Sequence, residues 1–358
     1  MTTEMHSVIQ QAVHEAGGWL PFDRFMHLAL YAPGLGYYAN SSTKLGQMPQ
    51  DGSDFVTAPE ISPLYGWALA QQVAEALVHT QTDTVWEFGA GSGALAEQLL
   101  TALGDKVKRY VIVDVSSTLR ARQQERLQAF ADKVEWVSSL PEAMEGVIVG
   151  NEVLDAMPVQ LIVRKQGVWH ERGVVAQADG TWGWADKPTD LRPPLDIPGE
   201  HDYLTEIHPQ AHAFMTTLGQ HLQRGAIFLI DYGFGEGEYY HPQRHMGTVM
   251  CHQAHKADDN PLLDVGQKDI TAHVNFTDIA VAAQDAGLDI LGYTTQSWFL
   301  LNCGITQKME QATLAERSAA QKLLMEHEMG EFFKVLGLCK GEPWDALGFK
   351  VGDRLRML

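Results

Sequence analysis

The sequence predicts an α/β fold in which a mainly parallel sheet carries crossover helices, with a helical N-terminal extension and inserted strands. Short β-branched runs alternate with longer helical patterns from residue 62 onward, the mark of a parallel sheet. Thr84–Phe88 reads as a strand that runs straight into Gly89-Ala-Gly-Ser-Gly93 and then into a helix. The next strand, Tyr110–Asp114, ends on an acid, where a cofactor-binding sheet presents its ligands.

Ser62-Pro63 starts the first clear helix, because Ser caps free N–H groups and Pro at the first position lacks only a donor with no partner. Leu69, Val73 and Leu77 then share one face. After the glycine turn, Leu95, Leu99 and Leu103 line one side of a helix that Gly104 stops. A helix from about Ser116 to Phe130 and strands at Val134–Val137 and Val147–Gly150 continue the sheet. Gln160–Ala185 reads as an antiparallel insertion of two or three strands, with turn signals at Gln166-Gly167 and Asp179-Gly180. A helix near His208–Leu222 leads into the buried strand Ala226–Ile230. Phe276–Ala286 is helical, Leu288–Thr294 a strand, Gln307–Glu328 one long helix and Phe332–Cys339 the last strand. If that strand lies antiparallel between its predecessors, the sheet has seven strands. Stretches 40–54, 186–202 and 233–269 read as loops.

At 358 residues the chain suits one large elaborated domain or two closely joined ones. Lys plus Arg total 26 against 45 for Asp plus Glu, a formal net charge of −19, which repels phosphate backbones and anionic lipid surfaces. Nucleic acid is therefore not an expected partner, whereas a basic protein substrate would be attracted. Three scattered cysteines, Cys251, Cys303 and Cys339, encode neither a disulfide framework nor a paired-cysteine metal site. No apolar run approaches the ~18 residues of a membrane span, so membrane insertion is not expected. With acids and no Lys or Arg before Arg24, no leader is expected either, and the expected location is cytoplasmic.

Gly89, Gly91 and Gly93 permit a tight bend and close approach of backbone N–H groups to a nucleotide-like cofactor. Asp114 sits where an acid accepts both ribose hydroxyls, which suits a nicotinamide dinucleotide and S-adenosylmethionine (SAM) alike. Glu87 favours SAM, because a carboxylate beside the turn attracts a sulfonium and an ammonium and repels a pyrophosphate.

Gly150-Asn-Glu-Val-Leu-Asp-Ala-Met-Pro158 follows the fourth strand and overlooks the same crevice. Glu152 and Asp155 can clamp a guanidinium through bidentate charge-assisted hydrogen bonds. The alternative is a helix start, capped by Asn151 and with two acids complementing its dipole.

The sequence resembles the MidA-like SAM-dependent methyltransferases, which include the mitochondrial complex I assembly methyltransferase. The resemblance rests on seven ordered blocks: Tyr31–Tyr38, Asp54–Ile61, Glu87–Gly93, Asn151–Pro158, Leu229–Gly233, Asp269–Phe276 and Met329–Leu336. It implies a class I methyltransferase fold, a Rossmann-like seven-stranded sheet, and arginine methylation of a protein, with a complex I subunit as the analogous substrate. It also implies that Thr57, Pro59 and Glu60 wall the cofactor and that His273, with Asn275, lies near the acceptor. The family commonly has Asp where this chain has Asn275, and 250–267 is diverged.

The expected organisation is an N-terminal extension, 1–80, packing over the cofactor cleft. A methyltransferase domain, 81–358, follows, with insertions at about 160–205 and 233–275. Asn151, Glu152, Asp155 and His273 are the expected catalytic residues; Glu87, Gly89, Gly91, Gly93, Asp114, Thr57, Pro59 and Glu60 are expected to bind SAM. No metal is expected, although His208/His212 and His241/His245 recur at helical spacing near Cys251 and His255. A nicotinamide-dependent oxidoreductase and a SAM-binding assembly factor without transferase activity are the alternative readings.

Overall fold

The structure is a computed structural model that describes residues 3–40, 57–114 and 117–358. Positions 41–54 of the first expected loop, 54–56 of the second sequence block and Ser116 at an expected helix start lie outside the described residues. The N-terminal segment forms α1 (Thr3–Glu15), β1 (Leu20–Pro21) and α2 (Phe22–Tyr31), followed by α3 (Ala58–Ile61) and α4 (Pro63–Thr80). The chain then alternates β2 (Thr84–Phe88), α5 (Ala94–Leu103), β3 (Arg109–Val113), α6 (Ser117–Arg126), β4 (Val134–Val137) and β5 (Met144–Asn151). Next come β6 (Gln160–Lys165), β7 (Val168–Ala176), β8 (Trp182–Pro188), β9 (Tyr203–Ile207), α7 (Pro209–His221), β10 (Leu222–Phe234) and α8 (Glu236–Tyr239). Short strands β11 (Met250–Gln253), β12 (Lys256–Asp258), β13 (Asp269–Thr271) and β14 (Val274–Asn275) precede α9 (Phe276–Asp285) and β15 (Asp289–Thr295). The chain closes with α10 (Gln296–Asn302), α11 (Ile305–Glu310), α12 (Leu314–Leu324) and β16 (Phe333–Lys340).

The principal sheet is mixed, in the order β15-β16-β10-β5-β2-β3-β4. Its five strands from β10 to β4 are parallel, and β16 lies antiparallel between β10 and β15. Both faces are covered: Phe228 and Ile230 pack with α4 and α5, while Ile227 and Leu229 pack with α7 and α9. Burial on both sides explains why this strand reads as an unbroken apolar run. The sheet has eight strands where seven were expected, because β14 pairs with the end of β10. A Cβ on Gly233 would lie 2.1 Å from the Val274 carbonyl oxygen, so the pairing needs glycine there.

After β4 the chain returns to place β5 beside β2. Strand order reverses between them, and the crevice outside their carboxyl ends is where open α/β sheets take ligands.

Beyond the strands read at 160–185, the segment adds β9 and builds a second sheet in which β1 of the N-terminal segment pairs with β7. Met5, Ile9 and Phe25 share one core with Leu161, Val174 and Ile270, so three distant stretches of chain bury one another. The expected loop 233–269 contains a small sheet, β12-β11-β13, whose strands are too short to show alternation. The expected long helix 307–328 is broken, because Thr313 and Glu316 form a capping box that starts α12 afresh.

Candidate active site

A cavity of about 1220 Å³ opens at the crevice. On its cofactor side, Gly89 and Gly91 have φ of +64° and +52°, a region that favours glycine. A Cβ on Gly89 would also come within 3.0 Å of Val153 Cγ2, so its absence lets the turn fit against the neighbouring strand's loop. Gly93 shapes the turn as the N-cap of α5 but is not in the cavity wall.

Glu87 lines the cavity while only 2% exposed, and the Tyr110 hydroxyl donates to its Oε2 at 2.6 Å. Burial pushes its carboxyl up to about 7; the Tyr110 hydrogen bond opposes this and the Asp114 charge adds to it. Asp114 lines the cavity just beyond β3. Gln123 Nε2 donates to Asp114 Oδ2 at 2.9 Å and to the Gly91 carbonyl at 3.0 Å. Trp136 Nε1 donates to Gln123 Oε1 at 2.9 Å, which fixes the amide so that one side chain braces acid and turn together.

Thr57 and Pro59, at the start of α3, also line the cavity. Glu60 is not in the wall that the resemblance assigned to it: its carboxylate accepts from Arg126 Nη1 at 2.8 Å and from the Ser92 hydroxyl. It ties α3 to the glycine turn and to the end of α6.

On the other side, residues 152–158 form a turn rather than a helix start, which removes the capping explanation for Asn151 and the two acids. Glu152 adopts φ +55°, rare for a residue with a Cβ, and its N–H donates to the Ile230 carbonyl at 2.9 Å. Asp231 holds the turn: its Oδ2 accepts from the N–H groups of Val153, Leu154 and Asp155 at 3.1, 2.9 and 3.2 Å. Asn151 Nδ2 donates to Glu152 Oε1 at 2.8 Å, and the Tyr65 hydroxyl donates to Asn151 Oδ1.

Glu152 and Asp155 line the cavity together. Burial, then the Asp155 charge, pushes the Glu152 carboxyl up to about 8, against the Asn151 amide and the Ala58 N–H. Burial likewise raises Asp155, which accepts from the Tyr232 hydroxyl, while its Oδ1 has no hydrogen-bond partner among the described residues. The turn thus concentrates carboxyl groups in one part of the cavity wall.

His273 lines the same cavity, edge-on to Tyr232 with ring centroids 5.2 Å apart. Burial, then Arg244 and Lys334, lowers its pKa to about 4, so the ring is neutral at pH 7. Its Nδ1 has no partner among the described residues. Asn275 does not line the cavity; its side chain caps α9 by accepting from the Asp278 N–H at 3.4 Å. Among the described residues no group of three or more His, Cys, Asp or Glu is arranged to hold a metal, and no helix is long and apolar enough to cross a membrane.

The arrangement fits SAM. A buried carboxylate, Glu87, faces the cavity with no ion-pair partner among the described residues and suits a cationic ligand. A braced acid, Asp114, ends the neighbouring strand, and the glycine turn leaves its backbone approachable. A mixed sheet whose parallel strands present this donor set at their switch point defines a SAM-dependent methyltransferase with a Rossmann-like fold.

The chain belongs to the family described as "Putative S-adenosyl-L-methionine-dependent methyltransferase", whose model matches residues 68–294. A Burkholderia thailandensis crystal structure bound to S-adenosyl-homocysteine is 46% identical, with a TM-score of 0.95, covering 99% of this chain and 96% of that one. The mitochondrial protein arginine methyltransferase NDUFAF7 of Danio rerio is 25% identical over 91% of this chain and 85% of its own. Its Caenorhabditis elegans homolog is 25% identical over 85% and 78%. SAM is the cofactor, and the nicotinamide alternative falls away.

Tyr110, Gln123 and Tyr65 carry no sequence signal as site residues. Asp231-Tyr232-Gly233 reads from sequence as a strand end that either lines the acceptor pocket or only turns the chain, and the structure places Tyr232 in the cavity wall and Asp231 beneath the acceptor turn.

Proposed function

We propose that the chain transfers a methyl group from SAM to a guanidinium nitrogen of an arginine in a protein substrate. The observation that carries this reading is the pair of carboxyl groups, Asp155 buried and Glu152 half-buried, in the same cavity as the cofactor turn. A cation draws Glu152, whose carboxyl otherwise keeps its proton up to about 8, into its ionised form beside Asp155, and a guanidinium offers donors whose planar fork suits carboxylate oxygens. The NDUFAF7 relatives, named as arginine methyltransferases, support the same acceptor.

When bound, SAM supplies an activated methyl group on a sulfonium. The chain's residues then hold the acceptor nitrogen in line and lower the barrier to losing a proton from a group whose unperturbed pKa is ~13.8. Asn151 orients Glu152, Asp231 orients both acids through the backbone, and neutral His273 borders the acceptor with an open ring nitrogen. In this reading residues 1–80 form an extension over the cofactor cleft and 81–358 the catalytic domain. The protein works in the cytoplasm, on a protein analogous to a complex I subunit.

Incubation with methyl-labelled SAM and a whole-cell lysate tests the reading, followed by locating the labelled protein and residue. Label on arginine is expected. Label on another residue type overturns the acceptor. SAM binding with no labelled product favours the assembly factor without transferase activity.

A further inference from the structure

Asp269 opens β13 at the edge of the second insertion, 2% exposed, and lines the cavity with Glu152 and Asp155. The Tyr38 hydroxyl lies 2.9 Å from each of its carboxylate oxygens, donating its single proton across the pair. Tyr31 stacks on Tyr38 at 5.6 Å, and its own hydroxyl donates to the Ala156 carbonyl at 2.9 Å. Both tyrosines also line the cavity. The Tyr31–Tyr38 block of the N-terminal segment therefore links the acceptor turn to β13 and holds a third carboxylate in the field of the first two. Asp269's charge is among those acting on Glu152.

We infer that Asp269, positioned by Tyr38, is a third carboxylate arm of the acceptor site and selects a guanidinium over an ammonium. The inference rests on the arginine reading above. A guanidinium presents five N–H donors in a planar fork, and an ammonium presents three. Two carboxylates can take four donors in bidentate fashion, enough for an ammonium but one short for a guanidinium. A third arm completes the arginine shell and contributes less to a lysine.

The test uses the full chain saturated with S-adenosyl-homocysteine and titrated calorimetrically with Nα-acetyl-arginine amide or Nα-acetyl-lysine amide. Asp269→Asn is expected to weaken arginine binding by about tenfold, the scale of one hydrogen bond to a charged group. Lysine binding, which loses the same charge but no hydrogen bond, should fall clearly less than arginine binding, and S-adenosyl-homocysteine affinity should be unaltered. Tyr38→Phe, which keeps the ring and removes the positioning hydroxyl, is expected to lower the arginine-to-lysine preference in the same direction. Unchanged arginine binding by folded Asp269→Asn, or equal loss of both probes, overturns the inference. If Asp269→Asn melts early, folded Tyr38→Phe decides, and a wild-type preference overturns it. Wild-type protein that does not bind the arginine probe, or Glu152→Gln that binds it unimpaired, overturns the arginine reading itself and the inference with it. Loss in Glu152→Gln without loss in Asp269→Asn removes the third arm alone.

Discussion

The two halves of the cavity are built in opposite ways. The cofactor half comes mainly from one short run of chain, in which β2, the glycine turn and the end of β3 supply Glu87, Gly89, Gly91 and Asp114. Its acids each have a nearby neutral donor, Tyr110 for Glu87 and Gln123 for Asp114. The acceptor half draws Asn151, Glu152 and Asp155 from one turn, Tyr31 and Tyr38 from the N-terminal segment, and Asp269 and His273 from an insertion. Neutral donors serve the acids there as well, Asn151 for Glu152 and Tyr232 for Asp155, but the charges are more crowded: Asp155 raises Glu152 and both raise Asp231, where the cofactor half has only Asp114 raising Glu87. A local motif suffices to seat a cofactor common to a family, whereas a cation receptor has to gather charges that the chain alone would keep apart.

The sharpest break between the halves should come from Glu152→Gln, which keeps shape and removes charge. Turnover is expected to fall by roughly 10²-fold or more while SAM affinity holds and the melting temperature does not fall, as charge stabilisation at the reacting centre predicts. Methyl incorporation at wild-type rate by this variant and by Asp155→Asn would show that the acids take no part in transfer. Asp114→Ala should do the reverse, weakening SAM by on the order of 1.5–3 kcal/mol through lost charge-assisted bonds, as calorimetry would record. If affinity is unchanged, Asp114 does not hold the ribose.

Acidity separates the halves as well. The folded Glu152 carboxyl keeps its proton up to about 8, while the unfolded one releases it near ~4.3. Between those values the folded state binds more protons, so raising the pH favours unfolding. The ligand-free protein should lose on the order of 2 kcal/mol from pH 5 to pH 7 through this group, and chemical denaturation of Glu152→Gln should show a shallower decline. Identical pH slopes for the two proteins would mean that Glu152 is not desolvated. On the cofactor side Glu87 titrates near 7 and must be ionised to attract a cation. SAM should therefore bind about tenfold more tightly at pH 8 than at pH 6, and Glu87→Gln should flatten that dependence.

Most of the principal sheet was legible because each strand and helix signals itself locally. Ser62 does accept from the Leu64 N–H to cap α4, and Leu95, Leu99 and Leu103 are all buried. The break between α11 and α12 was written in Thr313 and Glu316, but helical periodicity on both sides masked it. Two-residue strands such as β14 carry no periodicity at all. In the site, Glu60 and Asn275 show the limit of a motif: half-buried Glu60 and buried Asn275 are hydrogen-bonded beside the cavity rather than within its wall.

By itself the sequence determined the strand–turn–helix, the acids that flank it and the class of cofactor, because these depend on backbone conformations and charges within the single run 84–114. Tertiary structure alone decided that β1 joins a sheet more than a hundred residues away and that Asp231 shapes the acceptor turn. It also decided that Tyr38 and Asp269 meet across the cavity. Those contacts join segments whose spacing along the chain carries no record of their distance in space, and they exist only once burial of a shared apolar core has brought the segments together.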